Sequence, residues 1–272
     1  MSYSLRISTS EYFASTGENL QISIPDLSEA GSPAYFALLR AWLRWCDGLH
    51  NCMSRSAESK KALPSRLLDI GHPDLEILRL FCPKKKDEVK YTALSHCWGE
   101  LTNKDKRQFC TTDDNIEERR EGFTLSELPK TFQDAIQVTR ELGIQYLWID
   151  SLCIIQGNQK DWEHEAKRME SVYASAYCTI AATSAVDSNA GFLERNVSNK
   201  YVHVQNDSGP RFFVCTNIDD FDNDVENARL NRRAWVMQER VLSRRTIHFA
   251  TNQMYFECGE GVYCENFTML KR

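Results

Sequence analysis

No stretch of this chain is apolar for long enough to cross a membrane. Met1 to Phe13 lacks a basic segment followed by an apolar one, so no secretory leader is expected. There is no G-x-G-x-x-G turn and no phosphate loop ending in Gly-Lys-Ser/Thr. Dehydrogenase and nucleotide-triphosphatase readings are correspondingly weak. Neither sign of charge dominates: 33 Lys and Arg stand against 38 Asp and Glu, a net −5, which argues against a general nucleic-acid binder. The 10 cysteines run from Cys46 to Cys264 without a dense short framework. That pattern suits core thiols in a reducing, cytoplasmic setting. Internal repeats and low-complexity tracts are absent.

With 42% hydrophobic and 26% charged residues, a folded core is expected. Residues 1–31 are polar and Ser/Thr-rich, an irregular lead-in. Residues 32–62 carry a helix and a linker. Ser32-Pro33 has the form of an N-cap followed by proline at the first helical position, and Tyr35, Leu38, Leu39, Trp42, Cys46 and Leu49 follow helical spacing. Residues 63–272 then form one globular unit on which that helix packs. Cys46, His50 and Cys52 are close together. No fourth ligand is near and the spacing fits no standard zinc pattern, so core packing is the expectation and no metal is assigned.

Leu63–Ile70 reads as a turn entering a strand and Ile77–Phe81 as a second strand, with Lys84–Asp87 as a solvated hairpin tip. Tyr91–Ser95 is a short apolar run ending at His96-Cys97-Trp98-Gly99, a buried strand that delivers Ser95 and Trp98 into a loop. A clear helix opens at Pro129, with Phe132, Ala135, Ile136 and Thr139 on one face and Gly143 closing it. Tyr146–Ile149 reads as a strand ending at Asp150. One helix follows, carrying Trp162, Ala166, Met169 and Tyr173, and then a strand over Tyr177–Thr183. A strand pair is predicted at Tyr201–Val204 and Phe212–Cys215. The acidic run from Asp219 to Glu226 reads as a solvated face, and further strands are predicted at Thr246–Phe249 and Met254–Cys258. The alternation of strand and helix from 91 to 249 predicts an α/β fold. It would be a mostly parallel open sheet flanked by helices, with an added β-hairpin region and an N-terminal helix.

Asn231 to Arg245 reads as a short helix on which Trp235 and Glu239, four apart, share a face. The simplest reading of Glu239 is an ion pair with one of Arg232, Arg233, Arg240, Arg244 or Arg245, because a buried carboxylate is costly unless paired.

Three segments, Tyr91–Gly99 (YTALSHCWG), Tyr146–Gln156 (YLWIDSLCIIQ) and Arg233–Ser243 (RAWVMQERVLS), together resemble the fungal heterokaryon incompatibility (HET) domain. Leu63–Asp69, Asp161-Trp162, Met169, Tyr173 and Ala176 add smaller matches, so the resemblance covers roughly residues 35–270. His96 departs from it, standing where the family more often has a phenol. The resemblance implies a fungal, intracellular effector of non-self recognition and programmed cell death. It also implies a distant kinship with Toll/interleukin-receptor (TIR) domains, whose core is parallel α/β and flavodoxin-like. Some of those cleave NAD⁺ with a glutamate four residues after a tryptophan, the spacing of Trp235 and Glu239. By that analogy Glu239 is the catalytic residue, and NAD⁺ is a consumed substrate rather than a cofactor. Ser95, Trp98, Asp150, Arg233, Trp235, Gln238 and Arg240 would then bind it: tryptophan faces for the rings, arginine forks for the pyrophosphate. Core packing remains the competing account for Trp98 and Trp235, and capping of the following turn for Asp150. Self-association or a recognition protein is the expected partner. A non-catalytic signalling module is the alternative. A cysteine hydrolase built on Cys97 or Cys153 with His96 or His248 lacks a supporting signature.

Overall fold

A computed structural model describes residues 29–52, 63–71, 76–84, 86–195, 201–205, 211–215 and 219–270. The expected lead-in up to residue 28 and the linker over 53–62 lie outside these residues. Helix α1 (Pro33–Leu49) starts where the sequence places it: Ser32 Oγ accepts from the Tyr35 amide at 3.2 Å, and proline occupies the first turn. Its buried face of Tyr35, Phe36, Leu38, Leu39, Trp42, Leu43 and Cys46 joins the main core.

Ten strands form one sheet in the order β12-β11-β10-β9-β6-β3-β5-β1-β2-β4. They are β1 (Leu67–Asp69), β2 (Ile77–Phe81), β3 (Tyr91–Ser95), β4 (Phe123–Thr124), β5 (Tyr146–Trp148), β6 (Cys178–Ala181), β9 (Arg245–Phe249), β10 (Met254–Cys258), β11 (Gly261–Cys264) and β12 (Met269–Leu270). A separate antiparallel hairpin, β7 (Tyr201–Gln205) with β8 (Arg211–Cys215), is the expected strand pair.

The expectation of a mostly parallel sheet needs correction. Only β5, β3, β6 and β9 run parallel. The strands on either side join antiparallel. The fold is therefore α/β with a mixed sheet around a four-stranded parallel centre. The antiparallel flanks need no helical crossovers, so the periodicity of 91–249 describes only the centre. Because β2 neighbours β1 and β4, the Lys84–Asp87 turn is not a hairpin tip between β2 and β3.

Counted in chain order, the four parallel strands lie 2-1-3-4. The order reverses between β3 and β6, and in such sheets the crevice beyond the carboxyl ends at the reversal is where ligands bind. Helix α4 (Lys130–Glu141) covers one face of the centre through Phe132, Ala135 and Ile136, beside α1. Helix α7 (Met169–Ser175) covers the other through Val172 and Tyr173, packing on Tyr91, Ala93 and Trp148, and α8 (Ala234–Leu242) lies against it. Strand alternation sorts β3: Ala93 joins Tyr173 in its cluster, whereas Leu94 belongs to the α1/α4 side.

Shorter helices complete the chain: α2 (Asn103–Phe109) and α3 (Ile116–Glu121) fill the long connection after β3, and α5 (Asp150–Cys153) follows β5. The single helix expected through Trp162 and Tyr173 is two, α6 (Gln159–Ala166) and α7, with Trp162 exposed. The break falls at Lys167-Arg168, where Arg168 turns back to donate to the Leu63 carbonyl and to Ser65 Oγ. No helix of the described residues is long and apolar enough to cross a membrane.

Candidate functional site

Ser95 is the last residue of β3, at the reversal point. Its hydroxyl donates to Glu239 Oε2 at 2.5 Å, reaching from the end of a central strand to the middle of α8. The Tyr173 hydroxyl, on α7, donates to the Leu94 carbonyl at 3.2 Å and stands close enough to Glu239 to favour its ionised form. Tyr173 is held in place by an edge-on contact with Trp148, ring centroids 5.5 Å apart. Glu239 is 4% exposed. Burial is the main cause that pushes its carboxyl up to about 7; the negative charge of Asp150 adds to the rise, while Ser95, Arg233 and Tyr173 oppose it.

The expected arginine pairing of Glu239 does not occur among the described residues; its carboxylate accepts from the Ser95 hydroxyl. The arginines of this segment are engaged elsewhere. Arg233 donates to the His96 carbonyl, fixing the loop after β3 against the start of α8. Arg240 forks onto Glu257 at 2.7 and 2.9 Å and reaches Glu226 at 2.8 Å. Arg245 bonds Asp47 of α1 at 2.5 Å. Arg240 is thus assigned to the Glu226–Glu257 network and not to the Glu239 cluster. Burial opposes ionisation of Glu257, but hydrogen bonds from His248 and Arg240 outweigh it and hold the carboxyl well below the usual range.

Trp98 Nε1 donates to Asp150 Oδ2 at 2.8 Å, and the Ser151 amide donates to Asp150 Oδ1 at 2.7 Å. Asp150 therefore both caps the turn after β5 and ties it to the loop after β3. That loop needs its glycine. Gly99 has φ +75, and a side chain there would strike Asp187 in the loop after β6. Ser95, Trp98, Asp150, Arg233 and Glu239 are thus gathered around the reversal point. The side chains of Trp235 and Gln238 lie outside the described part of the structure.

His96 falls on the opposite face from Ser95, edge-on to Phe132 of α4 with ring centroids 5.0 Å apart. It is buried, with Nε2 unpartnered among the described residues, and burial pulls it down to about 4. Burial raises the Cys97 thiol and pushes the Cys153 thiol up to about 12. Neither suits a thiolate nucleophile. Tyr173 is the member that sequence reading misses: its helical spacing marks it as core, and only the fold brings it beside Glu239.

A cavity of about 730 Å³ lies along α8, lined by Arg240, Leu242, Ser243, Glu226, Glu257 and Cys258 among others, and Glu239 is not part of its wall. The acidic run before α8 is the expected solvated face only in part: Asp220, Asp222 and Glu226 are exposed, while Asp219 and Asp224 are half-buried. Asp219 accepts from Gln253, Asn266 and Thr268, Asp224 from Tyr255 and Asn252, and Glu226 pairs with Arg240.

A family model described as Heterokaryon incompatibility protein (HET) matches residues 91–239, from the start of β3 to Glu239 itself. No curated protein and no solved structure matches the chain. The matched block holds Ser95, Trp98, Asp150, Tyr173, Arg233 and Glu239, and it spans more than half of the sequence; the chain belongs to the heterokaryon incompatibility family.

Proposed function

We propose that this chain acts in heterokaryon incompatibility as a death effector that hydrolyses the bond between ribose and nicotinamide in NAD⁺, with Glu239 as the catalytic carboxylate. The observation that carries this reading is a buried glutamate, without a cationic partner among the described residues, at the carboxyl end of a central parallel strand where the strand order reverses. A purely structural carboxylate in such a place is normally paired with an arginine.

The chemistry asks little of the protein. The glycosidic C–N bond breaks, its electron pair stays on nicotinamide, and that leaving group departs neutral without protonation. Positive charge builds on the ribose carbon, and water then adds there and releases a proton. One ionised carboxylate beside the ribose stabilises that charge. Ser95 orients it, and Asp150 supplies a second acceptor for ribose hydroxyls. The half-buried Trp98 offers a ring face, and Arg233 is the nearer arginine for the pyrophosphate, since Arg240 is occupied by Glu226 and Glu257.

With Glu239 only 4% exposed, ribose reaches it only if the cover around α8 shifts. The reading therefore ties turnover to self-association or to a recognition partner that moves α8. The test is nicotinamide release from NAD⁺ by protein held in clusters, compared with the dilute chain and with clustered Glu239→Gln. Equal inertness of the clustered wild type and variant would end the enzymatic reading.

The same burial favours a second reading. Glu239 would then be a polar anchor pinning α8 to β3, and the chain would relay the incompatibility signal by association alone. A Glu239→Gln chain that still kills when expressed in a fungal cell would favour this reading.

A further inference from the structure

Cys46, His50 and Cys52 are set aside in the sequence because no fourth ligand stands near them. The fold supplies one. Cys258, the last residue of β10, lies 208 positions beyond His50, and its Sγ is 3.4 Å from His50 Nδ1. One ligand atom from each of the four residues lies within 4.8 Å of every other.

We propose that Cys46, His50, Cys52 and Cys258 form a tetrahedral zinc site that fastens the end of α1 to the end of β10. Three thiolates and one imidazole are a donor set that closed structural zinc sites use, and sulfur-rich donors disfavour magnesium or calcium. Zn–S and Zn–N bonds of about 2.3 and 2.0 Å at tetrahedral angles place sulfur and nitrogen roughly 3.5 Å apart. The observed 3.4 Å separation of Cys258 and His50 meets that spacing with almost no movement.

Local structure explains how the ligands converge. Cys46 and His50 are four apart, so they sit one above the other at the last turn of α1, and the His50 amide closes that turn onto the Cys46 carbonyl at 3.2 Å. The turn after His50 brings Cys52 back toward the helix end. The imidazole packs against two aromatic rings, Trp45 and Tyr263, which themselves touch with centroids 4.6 Å apart. Trp45 is edge-on at 4.7 Å and Tyr263 of β11 lies at 6.1 Å, nearly parallel. Such a shell orients a ligating histidine before the metal arrives.

A disulfide would use two of the three thiols and leave the third thiol and the imidazole without a purpose. Zinc uses all four and releases the thiol protons on binding. The site also lies outside the block that identifies the family, joining a helix before residue 91 to a strand after residue 239. Cys52 and Cys258 form part of the wall of the cavity along α8, so the metal would also stiffen that wall.

The test starts with wild-type full chain, purified without a metal-affinity tag or chelator and analysed for metals by mass spectrometry. About one zinc per chain is expected. A mercurial that blocks thiols should release it. Exchange with Co²⁺ should give the visible bands of a tetrahedral ion with thiolate-to-metal charge transfer in the near ultraviolet. Cys258→Ser should lose the metal, and His50→Ala should weaken it. Because these variants can fail to fold, the wild-type metal content and the cobalt spectrum carry the decision. Protein free of zinc that melts at the same temperature with and without added zinc overturns the site. So do iron with inorganic sulfide in place of zinc, or a Cys46–Cys258 disulfide in a non-reducing peptide map.

Discussion

The Ser95 hydroxyl bonds Glu239 Oε2 at 2.5 Å and joins the end of β3 to the middle of α8 across 144 positions of sequence. Replacing Ser95 by alanine removes a donor from a buried carboxylate and leaves the rest of the cluster in place. We expect Ser95→Ala to cost about 1–3 kcal/mol in chemical denaturation. It should also raise the Glu239 pKa further, since this bond is the main effect holding it down.

The Glu239 carboxyl titrates near 7 in the fold against an ordinary 4.5. The native state therefore binds the proton more tightly than the unfolded chain does. Stability contributed by the neutral acid is complete below pH 4.5 and drains away as pH rises through about 7. The loss is on the order of 3 kcal/mol. Glu239→Gln cannot ionise. Its urea midpoint should exceed that of the wild type at pH 8 and converge with it near pH 4.5. If the two remain parallel across this range, the carboxyl is not the titrating group.

Under the proposed hydrolysis, only the ionised carboxylate steadies the ribose cation. Nicotinamide release by assembled protein should rise with pH along a single limb set by the Glu239 carboxyl. Ser95→Ala should move that limb to higher pH while retaining turnover at the plateau. A flat profile would separate the reaction from Glu239.

Arg66 and Asp161 meet at 2.6 Å with little exposure, and Arg66 also donates to the Cys153 carbonyl. Arg66→Ala should cost about 3–5 kcal/mol because it takes the cation from Asp161 and from the buried Glu165, 3.8 Å from the same guanidinium. The Arg66→Ala/Asp161→Ala pair should cost less than the two single changes added together, measured as a double-mutant cycle.

Gly99→Ala puts a side chain at φ +75 and against Asp187. We expect a loss of about 1–3 kcal/mol in thermal or urea unfolding. Ala190→Gly, in the same loop after β6 but exposed, serves as the control for general loop loosening.

The centre of the fold was legible because each of its elements carries a local signature: helical spacing in α1 and α4, continuous apolar runs in β3, β5 and β6. The antiparallel flanks were less so. β2 alternates exposed and buried positions, Ile77 out and Leu78 in, and that alternation is the one local sign that it is not a central parallel strand. In the site, Ser95, Asp150 and Glu239 stood at readable positions, two at strand ends and one on a polar helix. Arg233 and Arg240 look alike in sequence. What separates them is Glu226 and Glu257, which capture only Arg240, and no local pattern announces that choice. The same limit hid Cys258 from His50.

Strand β6 is bonded on one side to β3 and on the other to β9, which begins at Arg245, beyond the last residue of the family match. A recombinant piece trimmed to 91–239 would keep Glu239 but strip β6 of that neighbour. The exposed row of amides and carbonyls on an apolar strand would invite other copies to dock. Clumping of such a piece would then report a raw seam created by the trimming, not signalling, and experiments on association need the strands beyond the boundary.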